Sequence, residues 1–244
     1  MSQIKVTVWN ENIHEQRVPS IREIYPEGIH GCIRDFLKAD PSLDVTAVSL
    51  DMPEQGLPDS LIDQTDVLIW WGHMAHHEVS DQLVNKLFHR VQNGMGLIAL
   101  HSAHASKLFS KLMGTESWQM TWRESEDRCL CWVTEPNHPI TRGLGRYIDL
   151  PAEEMYSEPL FFPRPDELLF INWYSSGEVM RSGMVFNRGN GKVFYFQPGH
   201  ESYPTYHNPD VQRVITQAVH YVYQGMLPQQ ALTCPKPPIE KKEA

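Results

Sequence analysis

The sequence predicts an α/β fold in which a mostly parallel sheet carries helices on both of its faces. Short apolar runs alternate along the first half of the chain with stretches whose apolar residues recur at helical spacing. This alternation is typical of strands joined by crossover helices, which leave neighbouring strands parallel. A length of 244 residues fits one such domain. We therefore predict a single domain over residues 1–226, followed by a proline-rich tail over residues 227–244.

Four strands, three amphipathic helices and a short helix containing Leu61-Ile62 are predicted in the first half. Valine, isoleucine and aromatic residues predict strands at residues 5–9, 44–50, 66–71 and 97–100. Amphipathic stripes predict helices at residues 29–37, 83–91 and 105–112. Ser80 is a predicted N-cap of the second helix, and Gly114 is a predicted end of the third. Residues 10–15 predict a long polar loop.

The pattern changes after Gly114. Residues 115–128 are polar and predict an excursion, and residues 153–156 (EEMY) predict a loop. The second half has further predicted strands at residues 128–134, 168–173, 184–186 and 193–196. The NRGNG sequence between the last two strands predicts a β-hairpin. A last helix is predicted over residues 211–223.

Residues 94–114 (GMGLIALHSAHASKLFSKLMG) predict a strand, a sharp turn and a helix. The small residues Ala99 and Ala103 stand two positions on either side of His101, as the crowded backbone of a nucleophile elbow requires. His101 thus occupies the apex at which a serine or cysteine normally stands. We expect the N–H groups that begin the following helix to face anions near this apex.

Composition excludes several classes of function. A net charge of −9 and an isoelectric point near 5.7 disfavour binding to the phosphates of nucleic acids. No apolar run is as long as a membrane span, and the chain begins almost directly with a strand, so a signal peptide is not expected. The four cysteines do not form the pattern of a secreted disulfide framework. These observations predict a cytoplasmic protein.

Histidine and glutamate cluster in four loops at predicted strand ends, which are the places where α/β sheets bind ligands. These residues are Glu11 and His14; His73, His76 and His77; His101 and His104; and His200 and Glu201. Imidazole together with carboxylate suits zinc or a similar divalent metal, and it equally suits acid–base catalysis near neutral pH. An aromatic ring such as that of Trp71 can line a sugar pocket. The sequence has no glycine-rich phosphate loop, so no nucleotide cofactor is predicted.

Six groups of motifs in order resemble the ThuA family of trehalose-utilisation proteins, over residues 4–224. They are VWNENIHE with YPEGIH, WWGH, GLIALHSAH, NHPITRGL, EEMY and PGHE. The resemblance implies the flavodoxin-like, three-layer fold of class I glutamine amidotransferases and a role in the catabolism of a disaccharide or keto-sugar. By position in these motifs, it implies one pocket lined by Glu11, His30, His73, His101, Glu154 and His200.

The elbow of this chain departs from the amidotransferase pattern. The apex is His101 and not cysteine, and His200 and Glu201 are adjacent where the amidotransferase His and Glu stand two apart. Without a thiol no glutamyl thioester forms, so glutaminase activity is not expected. An isomerase, lyase or hydrolase acting on a sugar is our first hypothesis. The alternatives are a non-catalytic sugar-binding or regulatory protein, and a hydrolase that uses Ser102 with His200.

These arguments assign roles to individual side chains. We predict catalytic roles for His101, His200, Glu11 and Glu154. We predict substrate contacts from His30, His73, Trp71, Ser102, His104 and Glu201. If a metal binds, zinc is favoured and His101 and His200 are the predicted ligands. The expected partner is a small sugar, without nucleic acid or membrane, and a homo-oligomer is compatible with the sequence.

Overall fold

The computed structural model describes residues 3–116 and 119–225, so the predicted tail over residues 227–244 lies outside the described residues. The strands, numbered in chain order, are β1 (Ile4–Asn10), β2 (Leu43–Ser49), β3 (Val67–Trp71), β4 (Gly96–Leu100), β5 (Thr121–Val133), β6 (Tyr147–Ser157), β7 (Glu167–Tyr174), β8 (Val179–Arg188) and β9 (Gly191–Phe196). The helices are α1 (His14–Arg17), α2 (Pro19–Ile24), α3 (Gly28–Leu37), α4 (Asp59–Gln64), α5 (Asp81–Gln92), α6 (Lys107–Met113) and α7 (Pro209–Val222).

The strands form one sheet in the order β2-β1-β3-β4-β9-β8-β7-β5-β6. The first five strands in this order pair in parallel, and the pairs from β9 to β6 are antiparallel. The predicted α/β class is confirmed, but the prediction of a mostly parallel sheet is wrong, because the sheet is mixed. The reason is that no helix separates the strands from β5 to β9, and directly connected neighbours run antiparallel.

The parallel half follows the order β2-β1-β3-β4-β9, which is the flavodoxin-like order with β9 as its fifth strand. Every residue of β3 (VLIWW) and of β4 (GLIAL) is buried, as expected for strands with helices over both faces. The helices pack in two groups, one of α1, α2, α3 and α7 and one of α4, α5 and α6. None of the helices in the described ranges is both long and apolar enough to span a membrane.

The helix ends carry the capping residues that the sequence indicates. The Ser80 hydroxyl accepts the N–H of Leu83 at the start of α5, and Gly114 ends α6 with a φ of 71°. The elbow differs from the prediction, because residues His101–Ala105 form a 3-10 turn and α6 begins only at Lys107. The first N–H groups of α6 therefore lie at its cap, Ser106, and not at the elbow apex.

The residues predicted as a loop at 153–156 belong to the edge strand β6, and β5 begins at Thr121, inside the predicted excursion. Pro151 is tolerated within β6 because an edge strand does not need every ladder hydrogen bond. Residues from Glu153 to Ser157 are all buried. Irregular pairing between β5 and β6 on either side of Asp127 interrupts the ladder opposite this buried end. The predicted first loop also contains the start of α1.

Candidate active site

Loops at the carboxyl ends of four adjacent parallel strands meet at one edge of the sheet. They follow β1, β3, β4 and β9, which are neighbours in the sheet. The chain leaves β1 towards β2 on one side and returns to β3 on the other, so this edge includes the point where the strand order reverses. Open α/β sheets bind ligands in the crevice at such a point. The structure thus brings together the four predicted histidine-bearing loops.

His101 stands at the apex of the elbow with a φ of 52°, in the left-handed region that β-carbon-bearing residues rarely adopt. Its ring lies parallel to the rings of Trp71 and Tyr156, at centroid distances of 6.5 Å and 5.2 Å. Its Nδ1 is 2.9 Å from the Gln197 carbonyl oxygen and therefore carries a proton. Its Nε2 lies 3.1 Å from Glu154 Oε2. Both ring nitrogens are therefore occupied by protein oxygen atoms.

His101 and Glu154 form a buried ion pair. Burial acts to lower the pKa of His101, but the hydrogen bond and charge of Glu154 outweigh it and raise that pKa above its usual value. Burial acts to raise the pKa of Glu154, but the hydrogen bond and charge of His101 lower it overall. The imidazolium and the carboxylate thus stabilise one another at this position.

His200 has its tautomer set by the backbone. Its Nδ1 accepts the N–H of Ser202 at 3.2 Å, so the proton of the neutral ring resides on Nε2. Burial and the charge of His101 lower the pKa of His200 to about 4, which keeps the ring neutral. The Nε2 atom lies 3.8 Å from Glu154 Oε2 and 3.6 Å from Glu201 Oε2. His200 therefore presents a neutral N–H donor to two carboxylates.

Glu201 joins two histidines at the rim of the site. Its Oε1 lies 2.5 Å from His14 Nδ1 and 3.0 Å from His73 Nδ1. Burial acts to raise the pKa of Glu201, but the hydrogen bonds of His14 and His73 lower it well below its usual range. The hydrogen bond with Glu201 raises the pKa of His14. The histidine side chains are 17% and 27% exposed, whereas that of Glu201 is 3% exposed.

The sequence analysis assigned no role to Glu153, which anchors the loop that carries His200. Its Oε1 accepts the N–H groups of Glu154 and His200 at 3.0 Å and 3.1 Å. Its Oε2 accepts the Gly199 N–H at 2.9 Å and the Thr205 hydroxyl at 2.8 Å. Burial raises the pKa of Glu153, and these donors oppose that effect. The adjacent acidic pair of the EEMY motif was the only sequence signal for this role.

Glu11, predicted as catalytic, lies against the backbone of the loop that carries His73. Its carboxylate accepts the N–H groups of Met74 and Ala75 at 2.9 Å and 3.0 Å. Its side chain is buried beneath the loop. This geometry fixes the position of His73 through the backbone on which it is carried.

Two predicted substrate contacts lie away from the ion pair or beneath the surface. Trp71 is fully buried and donates its indole N–H to the Gly199 carbonyl at 3.0 Å, so its ring supports the site from below. His30 lies in the first turn of α3, where its Nδ1 is 3.2 Å from the side-chain amide of Asn10. Burial lowers the pKa of His30.

Ser102 and His104 occupy the aromatic wall behind the elbow. The Ser102 hydroxyl is 2.7 Å from the Tyr156 hydroxyl, so its observed partner is a phenol and not the imidazole of His200. The His104 ring packs among the rings of Tyr156, Phe162 and Tyr195. Burial lowers the pKa of His104 to about 3, so this ring is neutral.

Three overlapping groups of side chains have ligand atoms within 4.8 Å of one another and can hold a metal ion. They are His14, His73 and Glu201; His73, Glu154 and His200; and His101, His200 and Glu201. The predicted metal ligands His101 and His200 belong together only to the last of these groups. Because the groups share members, the site as a whole is one continuous cluster of imidazoles and carboxylates.

Comparison with known proteins agrees with this architecture. The sequence matches the family ThuA, described as trehalose utilisation, over residues 5–222. No curated protein matches the chain.

Solved structures share the fold at low sequence identity. A ThuA-like protein from Parabacteroides merdae has a TM-score of 0.68 and 16% identity, over 94% of this chain and 93% of that one. A ThuA-like protein from Bacteroides uniformis has a TM-score of 0.62 and 16% identity, over 91% of each chain. PurLQS from Thermotoga maritima has a TM-score of 0.52 and 12% identity, over 91% of this chain and 99% of that one. The last likeness is consistent with the predicted amidotransferase-like fold.

Proposed function

The chain belongs to the ThuA family, described as trehalose utilisation, and from this premise we propose that it is an enzyme that enolises a keto-sugar. The observation that carries the proposal is the neutral N–H donor of His200 beside the Glu154 carboxylate, whose oxygen lies 3.8 Å away. A keto-sugar offers an acidic C–H group next to a carbonyl group. A carboxylate base together with a neutral imidazole donor is a recurring solution for removing such a proton.

Glu154 is the general base of this proposal, and His200 is the electrophile. The C–H proton moves to the Glu154 carboxylate, and the carbonyl oxygen accepts a hydrogen bond from His200 Nε2–H as negative charge develops on it. A neutral imidazole suits this task because the Ser202 N–H fixes its tautomer. Return of the proton to the neighbouring carbon isomerises the sugar. If the enolate instead expels a leaving group from the adjacent carbon, the reaction is an elimination.

His101 acts in this scheme as a positioning residue. Its ion pair with Glu154 keeps that carboxyl ionised and aimed, and the Gln197 carbonyl orients the imidazole from the other side. The histidine apex has no thiol to attack an amide, so glutaminase activity is not part of the proposal. The hydrolase alternative is not favoured, because the Ser102 hydroxyl hydrogen bonds with Tyr156.

The test is deuterium exchange at carbon, followed by ¹H NMR in D₂O with trehalose and with trehalose oxidised to a ketone. We expect exchange next to the ketone with the wild-type protein, and a rate about 10²- to 10⁴-fold lower in Glu154→Gln. The matched control is Glu135→Gln, which changes an exposed carboxylate. In His101→Gln we expect a lower kcat with little change in KM, because the positioning of the base is lost and binding is kept.

Two outcomes would overturn the proposal. One is full exchange activity in Glu154→Gln. The other is binding of the sugars, seen as a thermal shift, with no exchange in the wild-type protein, which is the behaviour of a sugar-binding or regulatory protein. A cytoplasmic location and a small-sugar partner stay predictions.

A further inference from the structure

We propose that His14, His73 and Glu201 form a divalent-metal site at the rim of the cluster. The inference goes beyond the proposed enolisation and does not depend on it. It also moves the expected metal away from the pair His101 and His200. It gives a role to His14, which the sequence analysis placed in a strand-end loop without assigning it one.

The three candidate ligand atoms already converge on one point. His14 Nδ1 and His73 Nδ1 lie 2.5 Å and 3.0 Å from Glu201 Oε1, and the two nitrogens are 3.4 Å apart. Ligands bound tetrahedrally to zinc at bond lengths of about 2.0–2.2 Å are separated by roughly 3.3 Å. Against the observed 2.5 Å and 3.0 Å, the ion is accommodated when Glu201 Oε1 moves about 0.8 Å away from His14 Nδ1 and about 0.3 Å away from His73 Nδ1.

The charge balance of the site favours a cation. Five carboxylates in or beside the cluster are almost fully buried: Glu11, Glu15, Glu153, Glu154 and Glu201. The ion pairs recorded for Glu154 and Glu201 in the described ranges are with histidine alone, and none of the five pairs with lysine or arginine there. Buried charges in proteins are paired or bound to metal. A divalent ion supplies positive charge that the neutral rings of His200 and His104 do not.

The position of the three side chains suits an exchangeable metal. His14 follows β1 and His73 follows β3, the two strands between which the chain reverses its order. Both histidines are partly exposed, at 17% and 27%, so one side of the group faces the crevice. Catalytic zinc sites combine three protein ligands with an open position of this kind.

The protonation pattern of the inner histidines argues against the ligands predicted from the sequence. A neutral histidine that binds metal through Nε2 carries its proton on Nδ1. His200 does the reverse, because its Nδ1 accepts the Ser202 N–H. The Nε2 of His101 is occupied by Glu154. Nδ1 of His14 and Nδ1 of His73 instead contact one another and Glu201, so the carboxylate that occupies them is itself the third proposed ligand.

A metal at this position adds Lewis acidity to the same crevice. The second oxygen of Glu201 lies 3.6 Å from His200 Nε2, so the proposed ligand group adjoins the N–H donor assigned to the carbonyl oxygen. Lewis acidity next to that donor stabilises negative charge on oxygen. Metal binding and proton abstraction nevertheless reside on different side chains and are separable by mutation.

The test measures metal binding directly. The untagged protein is stripped with chelator, and Zn²⁺ alone is titrated by calorimetry, with Co²⁺ absorption as a report on coordination geometry. We expect one equivalent to bind the wild-type protein. His14→Ala and His73→Ala should each weaken binding by about 100-fold or more, since loss of a ligand exceeds the 10- to 100-fold effect of losing a supporting residue. The matched control, His77→Ala, removes a 79% exposed imidazole from the loop of His73 and should bind normally.

Other variants separate this proposal from the proposed function. Glu154→Gln should lose deuterium exchange and keep the metal, whereas His14→Ala should lose the metal. Far-UV circular dichroism checks folding, and His14→Gln or His73→Gln replaces the alanine variant at the same position if that variant fails to fold. The proposal is overturned if the stripped wild-type protein binds no Zn²⁺. It is also overturned if Zn²⁺ binds His14→Ala or His14→Gln as tightly as it binds the wild-type protein.

Discussion

Replacement of Glu153 by alanine tests whether one buried carboxylate holds the active-site loop in place. Three backbone N–H groups, of Glu154, Gly199 and His200, lose their acceptor in this variant. The Thr205 hydroxyl also loses its partner, but it can rotate towards another acceptor. The variant therefore leaves three buried donors without a protein partner, on both the strand β6 and the loop after β9.

The expected loss of stability follows from these donors and from the charge that is removed. An unsatisfied buried donor costs about 1–3 kcal/mol, so three donors give an upper limit of roughly 9 kcal/mol. Burial raises the pKa of Glu153, which means that ionising this carboxyl in the folded state carries a cost of its own. Removing the buried charge offsets part of this loss of stability, and water that enters the vacated space and binds the donors offsets more. We expect a net decrease in the free energy of unfolding of about 3–5 kcal/mol.

The conservative variant Glu153→Gln sharpens the prediction. Its side-chain NH₂ can face Gly199 and Thr205 while its carbonyl oxygen keeps the other two N–H groups. The Gly199 N–H then loses its acceptor, whereas the Thr205 hydroxyl can turn round and accept a hydrogen bond from the NH₂ group. We expect a loss of about 1–2 kcal/mol for glutamine. Urea denaturation measures both variants, with the exposed Glu135→Ala as the control. For a chain of 244 residues, the alanine variant should melt about 6–20 °C lower. A loss below about 1 kcal/mol for alanine, or a larger loss for glutamine, would refute the assigned role of Glu153.

Two further predictions concern stability elsewhere in the chain. Gly199→Ala places a Cβ 2.0 Å from the Tyr206 hydroxyl oxygen at a φ of +133°, whereas a Cβ on Gly177, at a φ of +103°, meets nothing within 4 Å. We therefore expect thermal denaturation to show a loss of stability of about 1–2 kcal/mol for Gly177→Ala and a clearly larger loss for Gly199→Ala. Equal losses in the two variants would contradict the clash. Hydrogen bonds led by that of Ser42 lower the pKa of Asp40 from 3.8 to about 2. Because the pKa of Asp40 is depressed in the folded state, this stabilisation is present above pH 4 and is lost as the pH falls towards 2. Asp40→Asn should therefore lower the free energy of unfolding, measured by urea denaturation, by up to about 1 kcal/mol at pH 7 and by less at pH 3. A loss that grows on acidification would contradict this prediction.

The parallel half of the fold was predictable because its local signals agree with its tertiary structure. The runs in β3 and β4 are apolar throughout because both sheet faces are covered, and Ser80 and Gly114 mark helix ends in a way that needs no distant partner. The end of β6 gave no such signal. Its Glu153 and Glu154 are buried only because donors and a histidine from distant segments satisfy them, so their local pattern indicates an exposed loop.

The location of the site was predictable from the carboxyl ends of the parallel strands. Neighbouring strand ends are expected to bring His73, His101 and His200 together, and the three imidazole rings do lie in contact with one another in the structure. The sequence cannot tell which side of a ring carries the proton, since that depends on single backbone contacts such as the Ser202 N–H. It also cannot tell that Trp71 is covered, because the covering carbonyl comes from Gly199, 128 residues further along the chain.

The histidine at the elbow apex is best understood as a group that holds a proton and not as a replacement nucleophile. An attacking imidazole needs one ring nitrogen with a free lone pair directed at the substrate, but Gln197 and Glu154 occupy the two nitrogens of His101. Turning the ring out would also break its stacking with Tyr156. The strained backbone of the elbow thus aims the ring at Glu154, so the turn that elsewhere presents a nucleophile here orients a carboxylate base through its ion pair.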